Sequence, residues 1–254
     1  MKLPVVIMNF SGIYNLEEFS QNNKFKWIDC RHLEGTDCYC DPDNVSRLRE
    51  CLAPYPAKGI HFIDSGNYHY MSKFWTDKIE EPFSLIVFDH HPDMQLPLFK
   101  GVLSCGDWVL DVIKENPLLR KVVIIGVSDR LLASIPEEYA HRVRFYSESS
   151  LRHESTWREF SKIHVDGPVY ISIDKDVLDK RSARTNWDQG SLALERMEEL
   201  ITTIFRHEEV IGVDICGECS MDFDLFDVDE DSRVDSRANE ALLELIERDC
   251  ERYG

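Results

Sequence analysis

The stretch Asp89-His90-His91-Pro92-Asp93 follows directly on the apolar run Leu85-Ile86-Val87-Phe88. Along an extended backbone the side chains of Asp89, His91 and Asp93 point the same way. Carboxylates and an imidazole aimed at one point suit a divalent cation better than a core. A second stretch repeats the design. Val169-Tyr170-Ile171-Ser172-Ile173 runs into Asp174 and Asp176, with Asp179 further on. A third, Gly59 to Asp64, ends in the Gly-containing turn Ser65-Gly66-Asn67-Tyr68 and offers His69.

Taken together these three strand ends supply four carboxylates and two imidazoles: His69, Asp89, His91, Asp93, Asp174 and Asp176. A mixed oxygen and nitrogen set suits manganese or iron, and less specifically zinc. Six ligands rich in carboxylates exceed what one small cation takes, and match two metals bridged by carboxylates. Taken singly, an Asp at a strand end reads as a turn cap and a lone His as surface or satisfied core. That bland reading weakens when two strands end in the same alternating pattern, because burying several unpaired carboxylates in one cleft is costly without cations.

The elements needed to hold these ends together are short buried strands. Eight such runs recur: Val5–Asn9, Phe25–Asp29, Ile60–Asp64, Leu85–Asp89, Val122–Val127, Val143–Tyr146, Val169–Asp174 and Val210–Ile215. Their near-continuous apolar character is that of strands covered on both faces. Helical periodicity lies between most of them: Asp43–Ala53 with Asp43 as cap, Tyr70–Ile79, Trp108–Lys114 before the stop Asn116-Pro117, Ser155–Ile163, Leu192–Phe205 with Ser191 as cap, and Ser236–Arg252. Strands alternating with helices predict an α/β fold with three layers, αβα, around a mostly parallel sheet of about eight strands. Such sheets bind ligands at the C-terminal ends of their strands, where the acidic knots lie. No linker, repeat or low-complexity tract divides the chain, so residues 1–254 read as one domain. The acidic stretch Met221–Asp231 reads as a solvated loop, with a rim over the site as the functional alternative.

With 254 residues, 29 basic against 47 acidic, the net charge is −18. No basic patch stands out, which argues against nucleic-acid and anionic-membrane partners. No apolar run approaches the roughly 20 residues that span a bilayer. The N-terminus, Met1-Lys2-Leu3-Pro4-Val5-Val6, lacks a secretory pattern and reads as a first strand, so a cytoplasmic location is expected. The eight cysteines are then expected as reduced, ordinary buried thiols. Cys30, Cys38, Cys40 and Cys51 cluster, and Cys216-Gly217-Glu218-Cys219 is a CxxC, but no second CxxC completes a zinc pattern.

The motifs resemble those of the arginase, agmatinase and formiminoglutamase group, the ureohydrolases, whose fold is shared with metal-dependent deacetylases. Asp89-His90-His91-Pro92-Asp93 matches the Asp-x-His-x-Asp motif of that family. Ser172-Ile173-Asp174-Lys175-Asp176-Val177-Leu178-Asp179 matches its Ser-x-Asp-x-Asp-x-x-Asp motif, and Gly66-Asn67-Tyr68-His69 loosely matches Gly-Gly-Asp-His. The resemblance spans most of the chain and implies two Mn2+ ions per chain. His69, Asp89, Asp93 and Asp174 would hold one, and His91, Asp89, Asp174 and Asp176 the other, with Asp89 and Asp174 shared. The implied reaction is hydrolysis of a C–N bond in a guanidino or amidino compound, small or within a peptide. A hydroxide between the ions would be the nucleophile, and Asp93 would pass a proton to the leaving amine. The family is often oligomeric, which implies a homo-oligomer whose interface the sequence does not locate.

Three departures set this chain apart. The family's proton-shuttle His falls in a stretch that here reads Leu103-Ser104-Cys105-Gly106-Asp107-Trp108, without a His. The family's guanidinium-gripping Glu falls at Gly217, with Glu218 one residue later: either Glu218 swings in as a catalytic residue or the substrate lacks a guanidinium. The chain is also shorter than typical members, with Lys180 where a Pro follows the second motif. The segment Arg31–Cys40 has no counterpart in the family motifs; His32 and Glu34 either line the pocket or flank a turn at Gly35-Thr36-Asp37. The sequence reads as a divergent branch. The competing readings are a zinc-dependent, deacetylase-like amidohydrolase and a metal-binding protein that has lost turnover.

Overall fold

The computed structural model describes residues 3–99, 101–153, 155–156, 165, 167–219, 221 and 225–254. In chain order the elements are β1 (Val5–Asn9), β2 (Lys26–Asp29), β3 (Tyr39–Cys40), α1 (Pro42–Leu52), β4 (Ile60–Phe62), α2 (Met71–Thr76), β5 (Phe83–Phe88), β6 (Leu103–Ser104), α3 (Trp108–Glu115), β7 (Leu119–Val127), α4 (Glu137–Ala140), β8 (Val143–Ser147), β9 (Val169–Asp174), α5 (Leu194–His207), β10 (Val210–Cys216) and α6 (Leu225–Tyr253). Most of the expected helix Ser155–Ile163 lies outside the described residues.

Eight strands form one sheet in the order β2-β1-β4-β10-β9-β5-β7-β8, and every neighbouring pair is parallel. The expected α/β architecture is therefore present. Alternate residues of each strand feed opposite faces. Ile86 and Phe88 of β5 join a core with α5 and α6, while Leu85 and Val87 join a core with α1, α2 and α3. This two-sided burial explains why the strands read as unbroken apolar runs, since each fully buried Val, Leu or Ile is worth about 1.5–3 kcal/mol. In α5 the buried residues Met197, Leu200, Ile201, Ile204 and Phe205 fall on one helical stripe.

Several expectations are corrected. Ser191 does not cap α5: the helix starts at Leu194 behind Ala193, and the Ser191 hydroxyl bonds Glu148 instead. Asp43 lies inside the first turn of α1, whose N-cap is Asp41, followed by Pro42 at the first helical position. The stretch read as a loop up to Asp231 is helical from Leu225 onward, so α6 begins well before Ser236. An antiparallel two-stranded ribbon, β3 with β6, was not foreseen.

The register sets the site. β9 lies between β5 and β10, with Phe88 opposite Ile173 and Cys216 opposite Asp174. One residue past Phe88, Asp89 therefore falls in the same row as Asp174 and Cys216. The row lies at the C-terminal end of three adjacent central strands.

Candidate metal centre

Each ligand candidate is delivered by a local device. His69 follows a short 3-10 turn, Gly66–Tyr68, between β4 and α2. A side chain at Gly66 would meet Trp187 at 2.8 Å and the Asp174 carboxylate at 2.9 Å, so the glycine allows that close approach. Asp93 adopts φ 47°, a left-handed conformation that Asp tolerates better than most residues. Its carbonyl accepts from the Val109 backbone N–H of α3, and its carboxylate accepts from the Trp108 indole N–H at 2.7 Å. Asp174 ends β9, and a 3-10 turn over Lys175–Val177 then presents Asp176.

The structure brings His69, Asp89, His91, Asp93, Asp174 and Asp176 together. His69 Nδ1 lies 3.2 Å from Asp89 Oδ2, 3.1 Å from Asp93 Oδ2 and 3.5 Å from Asp174 Oδ2. On the other side His91 Nδ1 lies 2.7 Å from Asp176 Oδ2 and 3.5 Å from Asp89 Oδ1. Asp89 thus faces one histidine with each oxygen, and it belongs to two candidate ligand groups, His69–Asp89–Asp93 and Asp89–His91–Asp176. Asp174 groups with His69 and with Cys216, whose Sγ is 3.3 Å from Asp174 Oδ2.

The tautomer of His69 follows from its neighbours. The Ser172 hydroxyl donates to Asp214 Oδ1 at 2.6 Å, so its oxygen accepts from His69 Nε2–H at 2.9 Å. The Nδ1 lone pair is then left facing three carboxylates, the orientation that a hydrogen bond at the far nitrogen gives a metal-binding histidine. His69 Nδ1 and Asp89 Oδ2 are both buried and lack a hydrogen-bond partner. Lone pair against carboxylate at such distances calls for positive charge between them, either the proton of an imidazolium, which burial opposes but Asp89 and Asp93 favour enough to raise His69, or a metal ion. Burial and the charges of Asp176 and Asp89 push Asp174 up to about 7. Burial and Asp89 push Asp176 up to about 6. For His91, burial opposes the imidazolium, but bonds to Asp176 and Asp89 outweigh it and raise the group to about 12. The donor set fits divalent metal ions.

The acids floor a cleft of about 190 Å³. Cys38, Tyr39, Gln95, Cys105 and Trp187 form its walls, and among the described residues no Lys or Arg lines it. His32 and Glu34 are not among the lining residues, and Gly35, at φ 73°, sits in a turn.

Glu218 is not brought to the cleft. Its carboxylate accepts from Lys175 Nζ at 2.6 Å and from Asn239 Nδ2 at 3.0 Å, all fully buried. Asn239 also bonds Glu17, and Asp235 lies 3.9 Å from Lys175 Nζ. This network sits beneath the turn that carries Asp174 and Asp176. Gly217 has φ 92°, and a Cβ there would come within 2.4 Å of Asp174 Oδ1, so no side chain enters the cleft from that position. Ser172, Trp108 and Cys216 also partner the cluster, beyond the six residues expected from the sequence. Ser172 and Cys216 carry a legible signal, since each alternates with an acid on its own strand, Asp174 and Asp214. Trp187, in an irregular segment, carries none.

Comparison with known proteins agrees with this geometry. Residues 59–229, more than half of the chain, match the Arginase family. An uncharacterised protein from Thermotoga maritima is 32% identical over 215 residues, covering 84% of this chain and 78% of its own length. Among solved structures, proclavaminate amidino hydrolase from Streptomyces clavuligerus superposes with a TM-score of 0.67 at 16% identity, covering 97% of this chain and 92% of that one. Formimidoylglutamase from Bacillus subtilis gives 0.67 at 17%, covering 97% and 88%. A hypothetical agmatinase from Burkholderia thailandensis gives 0.65 at 16%, covering 97% and 86%. The fold is the arginase-like α/β fold, and the chain belongs to the arginase family.

Proposed function

We propose that this protein is a hydrolase with two metal ions that cleaves a C–N bond of a guanidino or amidino compound, free or carried on a peptide. The observation that carries the reading is Asp89, which turns one oxygen to the His69 side and the other to the His91 side. His69, Asp89, Asp93 and Asp174 would hold one ion, and His91, Asp89, Asp174 and Asp176 the other. The donors are mostly carboxylate oxygen, which favours manganese; Cys216 is a soft donor that groups with His69 and Asp174. When bound, such a pair supplies Lewis acidity and an activated water.

The chain's own residues do the rest. With two divalent cations bound, the four carboxylates of the floor would be neutralised, so a guanidinium or amidinium would be oriented by the walls of the cleft rather than by net floor charge. Trp187 at the mouth, 41% exposed, offers a face on which a planar cation stacks. Asp93, held by the Trp108 N–H, keeps its other oxygen for a proton and passes it to the departing nitrogen. Glu218 and Lys175 position the turn that bears Asp174 and Asp176, rather than touching substrate. Tyr39, Leu96, Leu98 and Phe99 give this region exposed apolar surface, which suits a substrate with an organic or peptide extension. Membership of the arginase family supports hydrolysis at non-peptide C–N bonds.

A screen for urea or ammonia release tests the reading, run over free and peptide-borne guanidino compounds with the manganese-loaded protein. Release is expected from wild type, and Asp93→Asn should lower it by about 100-fold or more. A metal-loaded protein that releases neither product from any of them contradicts the proposal and favours a metal-binding member without turnover.

A further inference from the structure

Cys38 and Cys105 lie far apart in sequence, yet both line the metal cleft. The ribbon brings them together. Tyr39 pairs with Ser104, and one step outward the Cys105 N–H donates to the Cys38 carbonyl at 2.9 Å. That bond sets their backbones side by side at the end of the ribbon, and a disulfide requires Cα atoms about 4.4–6.8 Å apart. The two thiols are near enough to shift each other's pKa. Both residues are partly exposed, whereas Cys30, Cys40, Cys216 and Cys219 are buried. Cys38 is also held at φ 58°, an unusual conformation for a residue with a side chain.

We propose that Cys38 and Cys105 form a peroxide-sensitive dithiol on the wall of the cleft, oxidised to a disulfide that ties β3 to β6. The bond from the Cys105 thiol holds Cys38 below its ordinary pKa against the effect of burial, while that bond and burial push Cys105 far up. Cys38 is therefore the attacking thiol and Cys105 the resolving one. In the first step Cys38 Sγ, as thiolate, attacks a hydroperoxide oxygen; an S–O bond forms, the O–O bond breaks, and hydroxide leaves and takes a proton. In the second step Cys105 Sγ attacks the sulfenic sulfur; the S–S bond forms, the S–O bond breaks, and a second water leaves with the Cys105 proton. Two thiols are oxidised by two electrons and one hydrogen peroxide is reduced to two waters. The product would fix the ribbon against the wall of the cleft. None of this depends on turnover.

The test is thiol mapping of the full-length protein under graded hydrogen peroxide, with alkylation, digestion and mass spectrometry. The expected result is a linked peptide pair joining Cys38 and Cys105, two hydrogens lighter, formed about tenfold faster than any oxidation of Cys51 or Cys250. In Cys105→Ser, Cys38 should stop as a sulfenic acid that dimedone traps; in Cys38→Ser, Cys105 should stay reduced under the same dose. Equal alkylation of Cys38, Cys51 and Cys250 after peroxide overturns the proposal. So does a disulfide that joins Cys38 or Cys105 to another cysteine, or oxidation of Cys105 undiminished in Cys38→Ser.

Discussion

Asp89 divides its two oxygens between His69 and His91, so no neighbour can replace it. Ser172 is a subtler case. Its hydroxyl fixes which nitrogen of His69 faces the acids, and Ser172→Ala releases that constraint without touching a ligand. Loss of such a partner should weaken metal affinity by about 10–100-fold while leaving the fold intact, as read by competition with a chelating dye. Unchanged affinity would show that the hydroxyl does not set the tautomer. Gly217 gives a steric prediction. Gly217→Ala forces a Cβ into Asp174 Oδ1 at a positive φ, and should lower stability by about 1–3 kcal/mol in urea unfolding while also reducing metal affinity. A neutral result would mean that the turn relaxes freely.

At the scale of elements, the turn after β9 rests on a buried ion pair, and its two partners have different tests. Lys175→Met leaves Glu218, Asp235 and Glu17 buried without their cation and should destabilise the protein by about 3–5 kcal/mol in equilibrium unfolding. Glu218→Gln keeps the shape and the bond to Asn239, so it should change KM by less than about twofold, whereas a substrate-gripping carboxylate would raise it by orders of magnitude. The central strands were legible in the sequence because burial on both faces leaves only apolar residues to choose from. The acids at their ends stood out for the same reason: after Phe88 and Ile173 the chain turns abruptly from apolar to charged. The start of α6 was hidden, because alternating acids and aromatics before Val228 carry no clear helical stripe. Ribbon β3–β6 was hidden because strands of two residues have no period to detect. The direction of Glu218 was hidden because it depends on Lys175 and Asn239, partners distant in sequence that only the packed fold supplies.

At the scale of the whole molecule, net charge and buried acids shape its pH response. Burial raises Asp174 and Asp235 to about 7 and Asp214 and Asp176 to about 6, each from an ordinary 3.8. A raised carboxyl pKa means that the folded state holds protons which the unfolded chain has already released above about pH 4. That contribution is fully present at low pH and is lost as pH rises through 6 and 7. Metal-free protein should therefore melt at progressively lower temperature from pH 5 to pH 8. Metal-loaded protein should show the reverse, because the cations compete with the same protons. A chelator-treated sample that gains stability across this window would contradict the assignment of these groups. Among the described residues no helix is long and apolar enough to cross a membrane. The most direct test of the central claim is metal analysis of the purified protein beside Asp89→Asn. The prediction is two manganese ions per wild-type chain and loss of both in the variant, with secondary structure retained. A single zinc per chain, or a metal content unchanged by Asp89→Asn, would contradict it.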